Sequence, residues 1–228
     1  MIDGEVLESE VRGSMAAGKS TLFLRHLACF IVKGALRTHY GDNYSIRCLQ
    51  SSCAFERVLG RMGISASIWG GAVCFAEAFQ RPPHYNAFGG FWDKDHHVWA
   101  VTQFTEVVDF TISQMNLHPA NSRPDTIPVP AVWWDDVTLW PPTIRYLPEG
   151  RLKLELPRDE AEDLETFRHR VDRVFDDVLA QLDREDVPET PLLSGPESMN
   201  RLYKIGEPWV VGTLRYQEER GAMTKSCG

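Results

Sequence analysis

The chain has 228 residues, 43% of them hydrophobic, enough to bury a full core in one large domain or one domain with a C-terminal extension. A formal charge of −8 and a pI near 5.4 argue against a nucleic-acid partner, because phosphate binding needs a basic face. Met1 to Glu10 is acidic where a secretory leader would be basic, and the apolar run from Thr21 to Leu36 is too short and too charged to span a bilayer. The five cysteines (Cys29, Cys48, Cys53, Cys74 and Cys227) are odd in number and form no CxxC pair. The expectation is a cytoplasmic protein with reduced thiols, without a disulfide framework, a metal or a membrane partner.

Residues 1–18 are polar and Gly-containing, and read as an irregular lead-in. Ser20 or Thr21 can cap a helix running to about Arg37, with Leu22, Leu24, Leu27, Phe30, Ile31 and Leu36 as its apolar stripe. Gly41-Asp42-Asn43 stops it. A second helix is expected from Cys48 to Met62, ended by Gly63. Ile64 to Phe79 reads as strand, with Gly70-Gly71 permitting a kink or bulge. Gln80 to Asp95 reads as loop. His97–Thr102 and Glu106–Phe110 read as consecutive strands joined near Gln103–Thr105.

Residues 117–143 hold six prolines and three of the seven tryptophans, which predicts an ordered wrap over the sheet. Tyr146–Leu156 reads as a hairpin around Pro148-Glu149-Gly150. Asp159–Asp186 is the longest helical pattern, with Leu164, Phe167, Val171 and Phe175 inward. The tail carries one strand candidate, Trp209–Tyr216. Helices followed by strands indicate an α+β fold, divided at most into a core over 1–145 and an extension over 146–228 packed on it.

Three residues suggest chemistry. Cys48 opens a helix, where free N–H groups and the macrodipole favour a thiolate, the reactive form of the side chain. His97 starts a strand. Asp109 lies on the following strand, so an antiparallel pair with a short turn sets carboxylate and imidazole side by side. Asp109 would then orient His97, and His97 would take the thiol proton.

The order Cys48, Gly63-Ile64 after the helix, a strand, His97-Val98-Trp99 and Asp109-Phe110-Thr111 resembles the transglutaminase-like superfamily, broadly papain-like in core. The helix also resembles that of the arylamine N-acetyltransferases. The Gly-Gly before the Cys and the Gly-Phe-Gly after the Asp of that family are absent, which counts against acetyl-CoA chemistry. The likeness covers roughly residues 45–112. It implies a nucleophile helix packed on an antiparallel sheet, a Cys48–His97–Asp109 triad and a thioester intermediate with no cofactor. Amide hydrolysis of a peptide, protein or small amide is the first expectation, and acyl transfer to an amine the second. Gln50, Trp99 and Tyr44 are the candidate substrate contacts.

Other readings stand beside these. Ser52-Cys53-Ala54-Phe55 faintly resembles the papain signature, but a mid-helix thiol gains less from the dipole than Cys48 does. His96 should face away from His97 by strand alternation. Asp93, Asp95, His96 and His97 suggest a solvated loop more than a metal site. Trp99, Trp133, Trp134 and Trp140 are packing anchors before they are a groove. Gly13 to Ser20 satisfies GxxxxGK[ST], yet the charged segment Glu5–Arg12 is a poor strand to feed a phosphate loop, so nucleotide binding is a minor alternative. A non-catalytic binding module is the alternative of another class. Sequence leaves the oligomeric state open.

Overall fold

The computed structural model describes residues 2–42, 44–79, 85–91, 96–119, 125–135 and 139–215, with the backbone alone at 85–89 and 91. The fold is mixed α+β. Its helices are α1 (Gly4–Ala17), α2 (Leu22–Tyr40), α3 (Cys48–Arg61), α4 (Arg158–Gln181) and α5 (Pro196–Lys204). Its strands are β1 (Ala66–Ala78), β2 (Tyr85–Phe91), β3 (His97–Thr102), β4 (Val107–Asp109), β5 (Ala131–Trp134), β6 (Ile144–Arg151) and β7 (Leu192–Leu193).

The seven strands form one sheet in the order β2-β1-β3-β4-β5-β7, with β6 paired to β1. All described pairs are antiparallel except β5 with β7. At 13 residues, β1 is long enough to pair β3 through its first half and β2 through its second, while β6 runs alongside both. Strand alternation then sorts the side chains onto two faces. Ile68, Ala100, Val108, Phe110 and Trp133 face α2, α3 and α4 in the larger core. Val73, Trp99, Val107, Val132, Trp134 and Tyr146 face the smaller one, covered by Ile112, Met115 and Trp209.

Several local expectations are met for the reasons given. Thr21 caps α2 through its side-chain oxygen, and Gly41 ends it at φ 77°. Gly63 follows α3 at φ 87°. α4 buries Leu164, Phe167, Val171 and Phe175 along one stripe.

Others are overturned. Residues 4–17 are helical, not irregular: Asp3 caps α1 by accepting from the N–H of Val6, and Val6, Leu7 and Val11 pack on the larger core. The expected loop at 80–95 contains a strand, β2, while 80–84 and 92–95 lie outside the described residues. The Pro- and Trp-rich wrap supplies a buried strand, β5. The expected hairpin at 146–156 is instead a single strand, β6, which passes straight through Pro148-Glu149-Gly150. The 145/146 division therefore falls within a strand of the sheet.

The Gly70-Gly71 pair explains that passage. The β1–β6 register shifts between Gly70 and Gly71, and a Cβ on Gly71 would stand 2.2 Å from the Leu147 carbonyl oxygen. Only glycine allows the strands to approach this closely. Gly71→Ala is therefore expected to force β6 away and cost about 3 kcal/mol or more, read by urea denaturation. The tail also differs. Residues 208–215 are helical, because Glu207 caps the N–H of Val210 and the Trp209 indole N–H donates to the Ala76 carbonyl. These tertiary and capping contacts override the β-branched Val210-Val211 pair.

Candidate active site

Cys48 is the first residue of α3 and is partly accessible. Its predecessor Arg47 is the N-cap but offers no side-chain hydrogen bond to the helix. The first N–H groups of α3 are therefore not capped by the Arg47 side chain. Arg47 instead lays its guanidinium over the Tyr40 ring, 4.4 Å from the centroid.

Cys48 lies close enough to the His97 imidazole to act on its titration. On the other side of the ring, Nε2 lies 2.6 Å from Asp109 Oδ2, with His97 and Asp109 both 2% exposed. Nδ1 is thus the ring nitrogen left for the sulphur. The β3–β4 register pairs Ala100 with Val108, which puts His97, Trp99 and Asp109 on one face. The β3–β4 pair thus brings Asp109 onto His97, with Cys48 beside the imidazole.

Asp109 is held by more than His97. Tyr146 Oη donates to Asp109 Oδ2 at 2.8 Å. Thr111 Oγ1 and the Ile112 N–H both donate to Oδ1 at 3.1 Å. The Thr of the Asp-x-Thr pattern thus clamps the carboxylate while the chain turns into a 3-10 helix, Thr111–Leu117. Tyr146 was missed by sequence reasoning. It comes 37 positions after Asp109 from a strand read as half of a hairpin, and only the β1–β6 pairing brings it in.

Burial alone would pull the His97 pKa down. Asp109, and then Cys48, outweigh burial and raise it from 6.5 to about 10. The Asp109 carboxylate therefore favours the protonated ring. Burial and the Asp109 carboxylate push the Tyr146 phenol well above its ordinary value, so it remains a donor. Tyr146→Phe is expected to cost about 1.5–3 kcal/mol of stability, the usual worth of a hydrogen bond to a charged group. It should also slow any acylation of Cys48 by on the order of tenfold, read by stopped-flow with an activated ester.

The remaining candidates separate cleanly. Gln50 is half-buried in the first turn of α3, two positions after Cys48. Trp99 is 1% exposed and packs edge-on against Tyr146, so it supports the site from beneath and cannot be a substrate contact. Tyr44 is 4% exposed and stacked on Phe110, which makes it floor and not donor. Trp133 and Trp134 are fully buried, and Trp140 stacks on Trp134 and on Tyr146. Burial pushes the Cys53 thiol up to about 11, as befits an unreactive core residue. Burial likewise raises Cys29 and Cys74. Cys227, Asp93 and Asp95 lie outside the described residues, and His96 pairs with Glu149 at 3.2 Å. Among the described residues no group of three or more His, Cys, Asp or Glu side chains is placed to hold a metal.

The GxxxxGK[ST] match does not form a phosphate loop. Its first five residues finish α1, and Gly18 caps that helix at φ 64°. Ser20 spends its N–H and hydroxyl on Glu106, at 2.9 and 2.6 Å. Lys19 and Ser20 do line a cleft of about 520 Å³ with Arg25, Asp135, Glu197 and Arg201. A larger cleft, about 720 Å³, lies between α3 and α4 with Arg57, Arg61, Arg168 and Asp172 on its walls. Both carry charges of both signs, and neither is lined by Cys48, His97 or Asp109. The triad geometry, not cavity size, marks the candidate site.

Scans against family models, curated proteins and solved structures found no match to this chain. Among the described residues no helix is long and apolar enough to cross a membrane.

Proposed function

We propose that this chain is a cysteine-dependent amide hydrolase of the transglutaminase-like, broadly papain-like kind. The observation that supports it best is the buried His97–Asp109 hydrogen bond with Cys48, the first residue of α3, beside the imidazole. Asp109, itself clamped by Tyr146, Thr111 and Ile112, fixes the imidazole tautomer and its charge. The Cys48 thiol gives its proton to His97 as the sulphur attacks the carbonyl carbon, and the electron pair of the C=O bond moves to oxygen. The N–H groups at the start of α3 face that oxyanion, with Gln50 as a side-chain donor. Collapse breaks the C–N bond as His97 gives its proton to the leaving amine, and a thioester on Cys48 remains. Water then adds to the thioester while His97 accepts a proton. The C–S bond breaks, and acid and free thiol are released.

An amine in place of water would make the same thioester an acyl-transfer intermediate. Mixing the protein with p-nitrophenyl acetate tests the proposal. A stoichiometric burst of nitrophenolate is expected, with the acetyl group mapped to Cys48 and the burst lost in Cys48→Ala. A burst that persists in Cys48→Ala, or an acetyl group on Cys53, would overturn it. Added amine that captures the acetyl group faster than water would move the assignment to acyl transfer.

A further inference from the structure

We infer that the site accepts an uncharged, apolar acyl group, seated on the surface formed by Ile46 and Leu117. This rests on Cys48 being the nucleophile. The segment leading into Cys48 and the 3-10 helix leading out of Asp109 meet beside the site, because Ser45 Oγ donates to the Leu117 carbonyl oxygen at 3.4 Å. Each brings an exposed aliphatic side chain to that meeting point: Ile46 is 51% exposed and Leu117 52%. Beneath them the Tyr44 ring stacks on Phe110, with centroids 6.1 Å apart, giving an aromatic floor. Exposed single leucines are ordinary. Two aliphatic side chains on the two segments that carry the nucleophile and its orienting acid are a surface an acyl donor must cross to reach the sulphur.

Charge points the same way. Residues 110–117 (FTISQMNL) contain no ionisable side chain, and residues 44–49 (YSIRCL) contain only Tyr44 and Arg47 besides the nucleophile. The Arg47 guanidinium is held over Tyr40, which in turn donates to Asp163 at 2.8 Å, so that cation is engaged by α2 and α4. The two clefts elsewhere are lined by Arg, Lys, Asp and Glu, which sets these two segments apart from them. A carboxylate-bearing acyl group would lose water against Ile46 and Leu117, neither of which can hydrogen-bond to it.

The test is the acylation rate of Cys48 by p-nitrophenyl acetate, butyrate, hexanoate and hemisuccinate, each divided by its rate with free N-acetylcysteine. Burial of a methylene is worth roughly a fourfold preference, so butyrate should exceed acetate by on the order of tenfold, with hemisuccinate the slowest. Ile46→Asp and Leu117→Asp, both at exposed positions, should remove the chain-length preference, read as a fall of the hexanoate-to-acetate rate ratio toward one. Acylation of Cys48 at equal normalised rates, or fastest with hemisuccinate, overturns the inference and leaves the thiol site standing. No acylation of Cys48 by any ester overturns both.

Discussion

Asp109→Ala is expected to lower turnover of a small anilide by on the order of 10³–10⁴-fold, the scale seen when a triad loses its orienting carboxylate. The physical cause is legible in the four donors that converge on it: His97 Nε2, Tyr146 Oη, Thr111 Oγ1 and the Ile112 N–H. Without the carboxylate the buried imidazole keeps its desolvation but loses its strongest counter-charge, so its pKa must fall. The sign can be worked through. A histidine raised from 6.5 to about 10 contributes stability that is fully present below 6.5 and is lost as pH rises toward 10. Anilide turnover, which needs the imidazolium to protonate the leaving amine, should likewise persist up to that range in the wild type. In the variant its alkaline limb should move toward neutrality. Asp109→Asn keeps an oxygen for Thr111 and Ile112, and so separates loss of chemistry from loss of folding. A pH–rate profile identical to wild type in both variants would contradict this account of His97.

The second large effect concerns stability alone. Arg25 and Glu106 are 2% and 0% exposed, and their ion pair is 2.9 Å long. Glu106 also accepts from Ser20 N and Oγ and from Thr102 Oγ1, while Arg25 Nε donates to the Ser20 carbonyl. The network ties the start of α2 to the turn between β3 and β4, the turn that sets the His97–Asp109 register. Arg25→Ala would leave Glu106 buried with its charge unmatched, and should cost about 3–5 kcal/mol in urea denaturation. Lys19→Ala is the matched control. Lys19 is 58% exposed and stands 3.7 Å from Asp135, so its loss should change stability by about 0.5 kcal/mol or less. It should also leave Cys48 reactivity unchanged. A nucleotide-dependent activity that Lys19→Ala abolishes would revive the phosphate-loop alternative.

The sequence made some of this visible and hid the rest for identifiable reasons. α2, α3 and α4 were legible because a 3.6-residue apolar stripe is a local signal, reinforced at α2 and α3 by a glycine just past the helix. The pairing of His97 with Asp109 was legible because a turn of a few residues between two β-rich runs fixes their register. What failed was non-local. Pro148 and Gly150 carry strong turn chemistry, yet β6 continues through them because Gly70-Gly71 on β1 makes room for a shift of register 77 positions away in the chain. Tyr146 was hidden with it. Trp209-Val210-Val211 has strand composition but is helical, since Glu207 caps it and Ala76 receives the indole N–H. The Ser20–Glu106–Arg25 network was hidden for the same reason, its members lying 81 and 86 positions apart. The letters of a phosphate-loop pattern drew attention instead to residues whose work is structural.

The most direct test of the central claim is competitive alkylation with limiting iodoacetamide near pH 6, followed by peptide mapping, on wild type and on His97→Ala. At that pH an ordinary thiol is almost wholly protonated and labels slowly. The account predicts fast labelling confined to Cys48 in the wild type, slowed by on the order of a hundredfold when the imidazolium is removed. Slow labelling of Cys48, or labelling that His97→Ala leaves unchanged, would contradict it.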